Sequence, residues 1–358
     1  MTGPRILYII NSVEGGGAAL PVPSVIGVLQ RGGAEVRVLA LTRRDGRALA
    51  SMAAAGLDVR VRDGGETDHF AAWRWLDAQV RDWRPTHLWT SLTRATLLGQ
   101  LVGLRRRVPV VSWQHAAFLR PTNRRLLRAT QRLSRLWIGD SESVTRLTAA
   151  RLLVPKERLV TWPIFRADPD APRAVPWQAG KPLRLGSLGR LHPVKGYDVL
   201  VEALALLRSD VPFEVTIAGD GAARAALQAQ AEAAGVTNLR LGGYADDPRA
   251  FLAGLHLYLQ PSRSEGLCVA AHEAMQAGLP VIASAVGELP FSIEQEVTGW
   301  TVPPADASAL AAVLDAALAR RKALAAMGDA ARQRVLSRFG PDHFEATGLA
   351  ILDRLKTL

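Results

Sequence analysis

Two stretches of the 358-residue chain carry side chains whose types and spacing suit chemistry on a charged ligand. The first is Gly186-Ser-Leu-Gly-Arg-Leu-His-Pro-Val-Lys-Gly196, where Arg190 and Lys195 are separated by a tight turn containing Pro193 and closed by Gly196. Both cations can converge on one pyrophosphate: arginine offers a planar fork, lysine a compact charge, and together they neutralise a departing diphosphate. The second runs from Gln260 to Gly287 and holds two acids, Glu265 and Glu273, eight positions apart. Gly266 removes the side chain where a ligand must approach the backbone. The helix expected from near Cys268 presents free N–H groups and partial positive charge, which suit a sugar or phosphate oxygen. Glu273, about two turns into that helix by this reading, can accept both hydroxyls of a ribose diol. Either acid alone could be a solvated surface carboxylate. The segment Ala274-Met-Gln-Ala-Gly-Leu-Pro-Val-Ile-Ala283 argues for a site, because an apolar helix ending at Gly278 feeds directly into a buried strand.

These motifs need a scaffold, and the chain reads as alternating strands and helices. Arg5 to Ile10 is a continuous apolar run, as expected of a strand buried on both faces of a parallel sheet. Further strands are expected at Glu35–Leu41, Leu57–Val61, Thr86–Trp89, Val108–Trp113 and before Gly139, with helices at 21–30, 70–83 and 142–153. Residues 163–182 hold five prolines and no period, which reads as a linker. The pattern then restarts with strands at 183–188, 213–218, 239–241, 255–260, 281–283 and 299–302. The expected fold class is α/β, two Rossmann-like doubly wound domains facing a central cleft. The expected boundaries are 1–165 for the first domain, 166–181 for the linker, 182–338 for the second domain, and 339–358 for a terminal helix crossing back to the first.

Glu265 through Glu273 matches the E-x7-E signature of the large retaining glycosyltransferase family often called family four (glycosyl transferases group 1, GT-B type), and the Gly278-x-Pro-Val segment matches as well. Gly189-Arg190-Leu-His-Pro-Val-Lys195-Gly196 is similar to the family's G-R-x5-K-G pattern, slightly shortened. The resemblance implies a retaining transferase that moves a sugar from a nucleotide-diphosphate sugar, UDP- or GDP-linked, to a polysaccharide, lipid-linked or other glycan acceptor. It implies catalytic roles for Glu265, His115, Arg190 and Lys195. It implies donor contacts from Gly16, Gly17, Arg190, Lys195, Gly219, Tyr244, Glu265, Gly266, Leu267, Cys268, Val269 and Glu273. Gly219 stands in a turn similar to the family's A-G-x-G. Tyr244 is placed to stack on a base, though a packing tyrosine fits equally well. The loop Glu14-Gly-Gly-Gly17 resembles the family's Gly-Gly loop, and His115, at the carboxyl end of an expected strand, occupies the place of its N-domain histidine. The chain departs from the family's pattern at Trp162-Pro-Ile-Phe165, at Leu267-Cys268 and at Gly287-Glu-Leu-Pro-Phe291, so the sugar is not specified.

No Asp-x-Asp in a suitable strand context and no Cys/His cluster suggests a metal, so none is expected, and no cofactor beyond the donor. No Ser–His–Asp set can be assembled from the sequence. The single cysteine, Cys268, fits a reducing compartment. With no signal-like opening and no membrane-length apolar run, the chain is expected in the cytoplasm, peripheral on the inner membrane face at most. The net charge is +11, and residues 1–170 hold 26 Lys and Arg against 14 Asp and Glu. Such asymmetry points to an anionic partner or merely to an arginine-rich solvated surface. Arg124, Arg128, Arg132 and Arg135 recur at helical spacing within 122–137, opposite Leu126, Leu127, Leu133, Leu136 and Trp137. That pattern predicts a basic amphipathic helix able to lie on anionic lipid. Three other readings remain at this point: a sugar-nucleotide epimerase, a basic nucleic-acid-binding protein and a non-catalytic donor-binding scaffold. The second leaves Glu265, Glu273, Arg190 and Lys195 without a role, and nucleic acid is not the expected partner.

Overall fold

Ile6, Leu7, Tyr8, Ile9 and Ile10 are completely buried, as a strand covered on both faces requires. They form the centre of β1 (Arg5–Ser12), which opens a run of βα units in the computed structural model, whose described residues are 3–115 and 119–357. The chain divides into two units, Met1–Arg166 with Pro341–Leu358, and Ala167–Gly340.

In the first unit β1 is followed by α1 (Val22–Arg31), β2 (Glu35–Thr42), α2 (Ala48–Ala54), β3 (Asp58–Val61), α3 (His69–Trp83), β4 (His87–Ser91), α4 (Thr93–Arg106), β5 (Val110–Gln114), α5 (Pro121–Thr130), β6 (Leu136–Gly139), α6 (Glu142–Leu152) and β7 (Leu159–Thr161). All pairings are parallel, in the order β3-β2-β1-β4-β5-β6-β7. The chain leaves β1 toward one edge and returns at β4 toward the other, so a crevice opens beyond the carboxyl ends of those two strands.

The basic amphipathic helix expected over 122–137 is corrected. It stops at Thr130, passes through a 3₁₀ turn at Gln131–Leu133, and Leu136 and Trp137 are fully buried in β6. Two apolar residues at the end of a helical period served a strand instead.

The second unit runs β8 (Leu183–Leu188), α7 (Tyr197–Ala205), β9 (Phe213–Ala218), α8 (Arg224–Ala233), β10 (Leu239–Gly243), α9 (Pro248–Ala253), β11 (Leu257–Gln260), α10 (Val269–Gln276), β12 (Val281–Ser284), α11 (Leu289–Ser292), β13 (Gly299–Val302), α12 (Ala307–Ala319) and α13 (Leu324–Phe339). Its sheet is ordered β10-β9-β8-β11-β12-β13, again wholly parallel, with the switch between β8 and β11. The core beneath combines Leu183, Leu185, Ile217, Leu257 and Leu259 from strands with Leu200, Leu204, Leu310 and Leu314 from helices. The proline-rich stretch lies along this unit: Ala174 and Val175 donate backbone N–H groups to Ala277 and Ala253 carbonyls, at 2.7 and 3.1 Å. The last helix, α14 (Pro341–Leu355), belongs to the first unit, where Arg31 pairs with Glu345 and Trp162 donates to the Phe344 carbonyl.

Candidate functional site

Of the residues singled out in the second unit, Lys195 and Glu265 meet where β8 and β11 end. Lys195 stands on a one-turn 3₁₀ segment, Pro193–Lys195, ended by Gly196 at φ +66°. That left-handed backbone suits glycine, and a Cβ there would overlap the Pro261 carbonyl, so only glycine lets the two loops meet. Arg263 fastens them together. Its N–H donates to the Val194 carbonyl at 2.8 Å, and its guanidinium grips both oxygens of Asp198 at 2.6 Å each and the Pro193 carbonyl at 2.8 Å. This bidentate partner holds the Asp198 carboxyl below its ordinary range. Sequence reasoning passed over Arg263, whose only signal is its place two residues before Glu265.

This seam brings Lys195 and Glu265 into contact, Nζ to Oε1 at 2.7 Å. The same Oε1 accepts from Ser262 Oγ at 2.6 Å and Gln260 Nε2 at 3.2 Å. Burial works against the lysine charge, but Glu265 beside it prevails and raises the pKa. The cation is therefore permanent and precisely aimed. Arg190 is exposed and has no ion-pair partner among the described residues, while a Cβ built on its neighbour Gly189 would lie 3.5 Å from Lys195 Cε. Gly219 packs its backbone on the Gly189 carbonyl and donates its N–H to Gly243 at 2.6 Å, which joins the loops after β8, β9 and β10. Tyr244, 39% exposed, follows at the end of β10.

Beyond Glu265 the chain enters α10. Leu267 and Cys268 are buried, so Gly266 to Val269 can offer a ligand mainly backbone. Burial pushes the Cys268 thiol far up, so it stays protonated. Because α10 begins at Val269, Glu273 sits about one turn in, not the expected two. Its half-buried carboxyl has no hydrogen-bond partner among the described residues, and burial pushes its pKa up to about 7 against the opposing charge of Arg249. Among the described residues no group of three His, Cys, Asp or Glu side chains could hold a metal ion.

The remaining predicted site residues lie in the first unit. Gly16 and Gly17 follow β1 in a turn where Gly15 N–H donates to Asp45 at 2.9 Å and Glu14 pairs with Arg44 at 2.6 Å. His115 follows β5, with its side chain almost buried and stacked on Trp113 at 5.4 Å. Ser91 Oγ lies 2.8 Å from its Nε2, and Asp140 Oδ2 lies 3.5 Å from its Nδ1. The ends of three strands thus assemble a Ser–His–Asp set that the sequence reading could not. Ser91 is fully buried and supports the ring; it is not presented as a nucleophile. Residues 116–118, within the Arg105–Arg135 stretch, lie outside the described residues.

Two doubly wound sheets, each with its crevice at a switch point, define the GT-B type of glycosyltransferase fold, and solved structures of that type superpose on nearly the whole chain. Anabaena Alr3699/HepE in complex with UDP-glucose matches with a TM-score of 0.84 at 20% identity, covering 99% of this chain and 100% of that one. Sucrose-phosphate synthase from Thermosynechococcus elongatus matches at 0.81 and 20% identity, covering 99% of each. Residues 173–334 match the family described as Glycosyl transferases group 1. Among curated relatives, the amylovoran biosynthesis glycosyltransferase AmsK of Erwinia amylovora is 36% identical over 144 residues, 37% of this chain and 35% of that protein. D-inositol 3-phosphate glycosyltransferase of Jonesia denitrificans is 34% identical over 179 residues, 47% of this chain and 42% of that protein. The chain is thus matched to less than half the length of these two relatives.

Proposed function

We propose that this protein is a nucleotide-sugar glycosyltransferase whose second unit holds the donor, with Lys195 and Arg190 on the diphosphate, Glu273 on the ribose, and Glu265 with the backbone of Gly266 to Val269 at the sugar. The observation that carries this reading is the buried Lys195–Glu265 pair at the β8/β11 switch point. As the glycosidic bond breaks, negative charge grows on the diphosphate, and a fixed cation stabilises it more than it stabilises the ground state. HepE, sucrose-phosphate synthase and AmsK are named for binding or transferring sugars, which supports the class. Retention of anomeric configuration, metal independence and the sugar contact proposed for His115 rest on family likeness. The proposed acceptor is a glycan or lipid-linked sugar. Release of UDP or GDP from their sugars, measured in EDTA with and without glycan acceptors, tests the reading. Acceptor-dependent release is expected; free sugar formed equally well without acceptor would favour the epimerase alternative.

The ribose role makes a pH prediction. A carboxyl with a folded pKa of about 7 is mostly protonated at pH 6, and only the carboxylate accepts two hydroxyls. Donor KM should therefore fall about tenfold from pH 6 to pH 8 as that group ionises. The sign for stability is opposite. The raised pKa means the folded chain binds more protons than the unfolded one, so stability declines as pH rises from the ordinary value of 4.5 through about 7. Glu273→Gln should flatten the KM profile; an unchanged profile in that variant would remove Glu273 from the ribose role.

A membrane-facing role is proposed for the first unit. Arg120, Arg124, Arg125, Arg128, Arg132 and Arg135 are all exposed without ion-pair partners among the described residues, and Leu126 is 52% exposed beside them. Residues 119–139 contain no acid. Among the described residues no helix is long and apolar enough to cross a membrane. Sedimentation with vesicles containing anionic phospholipid should retain the protein, and neutral vesicles should not. Reversing Arg124, Arg125 and Arg128 to glutamate should abolish retention, at about 1 kcal/mol per lost cation. Equal retention by the reversed variant would exclude this surface.

A further inference from the structure

The donor loop turns on a residue whose backbone works against its side chain. Cys268 has φ +66°, the left-handed region that side chains disfavour, and α10 starts at the next residue. Such a conformation persists only where surrounding structure fixes it. Its carbonyl accepts from Ala271 N–H at 3.1 Å and His272 N–H at 3.4 Å, and a third contact comes from the imidazole of His272, Nδ1 at 2.9 Å.

That imidazole is fully buried and edge-on to Phe339 at 4.8 Å, and its donor and acceptor roles follow from the partners. A carbonyl can only accept, so Nδ1 carries the proton to Cys268. In the neutral ring Nε2 is then the acceptor, taking the Ser292 hydroxyl proton at 2.8 Å. Burial favours this neutral form and lowers the pKa to about 4. Ser292 Oγ in turn receives from Arg338 Nη1 at 3.1 Å, and Arg338 Nη2 donates to buried Glu288 Oε1 at 2.8 Å. Glu288 closes the circuit, since its N–H donates to the Gly266 carbonyl at 2.9 Å. Both ends of the Gly266–Cys268 segment are thus fastened from beneath by one chain of hydrogen bonds, through Glu288, Arg338, Ser292 and His272. Gly287 lies against the Gly266 carbonyl, where a Cβ would overlap it.

We propose that His272 is a positioning residue for the donor: it holds the Cys268 carbonyl down so that the amides opening α10 face the nucleotide sugar. It touches no ligand itself. The inference rests on the reading of the second unit as the donor site, and it adds a residue outside the Glu265 and Glu273 pair. A polar side chain buried beneath the start of a helix has no packing advantage over leucine, so its worth lies in the two directed bonds.

The test compares His272→Leu, His272→Asn and Ser292→Ala with the wild-type chain, reading UDP and GDP affinity by calorimetry and unfolding by thermal denaturation. His272→Leu should weaken binding of the preferred nucleotide about tenfold, the size of effect expected from loss of a positioned hydrogen bond. His272→Asn, whose amide N–H can replace Nδ1 on the Cys268 carbonyl, should recover most of that loss although it gives up the Ser292 contact. Ser292→Ala, which leaves the imidazole in place but unanchored, should fall between. Wild-type affinity in His272→Leu, or losses in all three variants that follow only their melting temperatures, would overturn the proposal while leaving the donor site intact. Failure of the wild-type chain to bind either nucleotide would overturn both.

Discussion

Lys195→Ala is expected to lower kcat/KM by about a thousandfold, close to 4 kcal/mol of transition-state stabilisation. The size follows from where the charge sits. Its ammonium is mostly buried against a carboxylate that is itself 10% exposed, so solvent screens it only weakly. The substitution also strands Glu265, whose Oε1 would keep only Ser262 and Gln260 as donors. Breaking a buried pair from one side costs about 3–5 kcal/mol of stability in well-shielded cases, and the partial exposure here places this one lower. The two effects separate in the measurement. Steady-state kinetics well below the melting temperature should show the loss in folded protein, mostly in kcat. A change confined to KM would mean that Lys195 binds the ground state only.

Glu265→Gln is expected to lower kcat about a hundredfold while leaving the fold intact, and Glu265→Ala to abolish transfer. Glutamine keeps the shape and can still accept from Ser262, but it removes the charge that fixes Lys195. The cation is then free to follow the diphosphate into positions that no longer match the developing charge. Donor KM should change by about threefold or less, because one hydrogen-bonding partner replaces another. Full activity in Glu265→Ala would count against the whole assignment of this acid. The contrast with Arg190 sharpens the point. Arg190 is exposed and unpaired among the described residues, so Arg190→Ala should lose less than Lys195→Ala.

What the sequence made legible was what periodicity and short motifs encode. The run Ile6 to Ile10 announced a buried strand, and Gly189 to Gly196 and Glu265 to Glu273 marked the candidate site, because each lies at one strand-to-helix connection. The helix Thr93–Arg106 escaped notice because Gly99 and Gly103 break its apolar stripe; both are small so that the helix can pack on Thr90 and Val110 of the sheet. The arginine period over 122–137 misled because it continues past the point where Ser134 turns inward and the chain becomes a strand. The Ser91–His115–Asp140 set and the circuit from Gly266 to Cys268 were invisible for one shared reason. Most of their members meet through tertiary packing across 20 residues or more, and no local spacing records that.

Calorimetric titration of the preferred nucleoside diphosphate, in EDTA, into the wild-type chain and into the Arg190→Ala, Lys195→Ala double variant tests the central claim most directly. The account predicts metal-free binding by the wild-type chain, weakened about a hundredfold or more in a double variant that still unfolds cooperatively. Equal affinity in the two proteins, or wild-type binding that appears only when a divalent cation is restored, would contradict it.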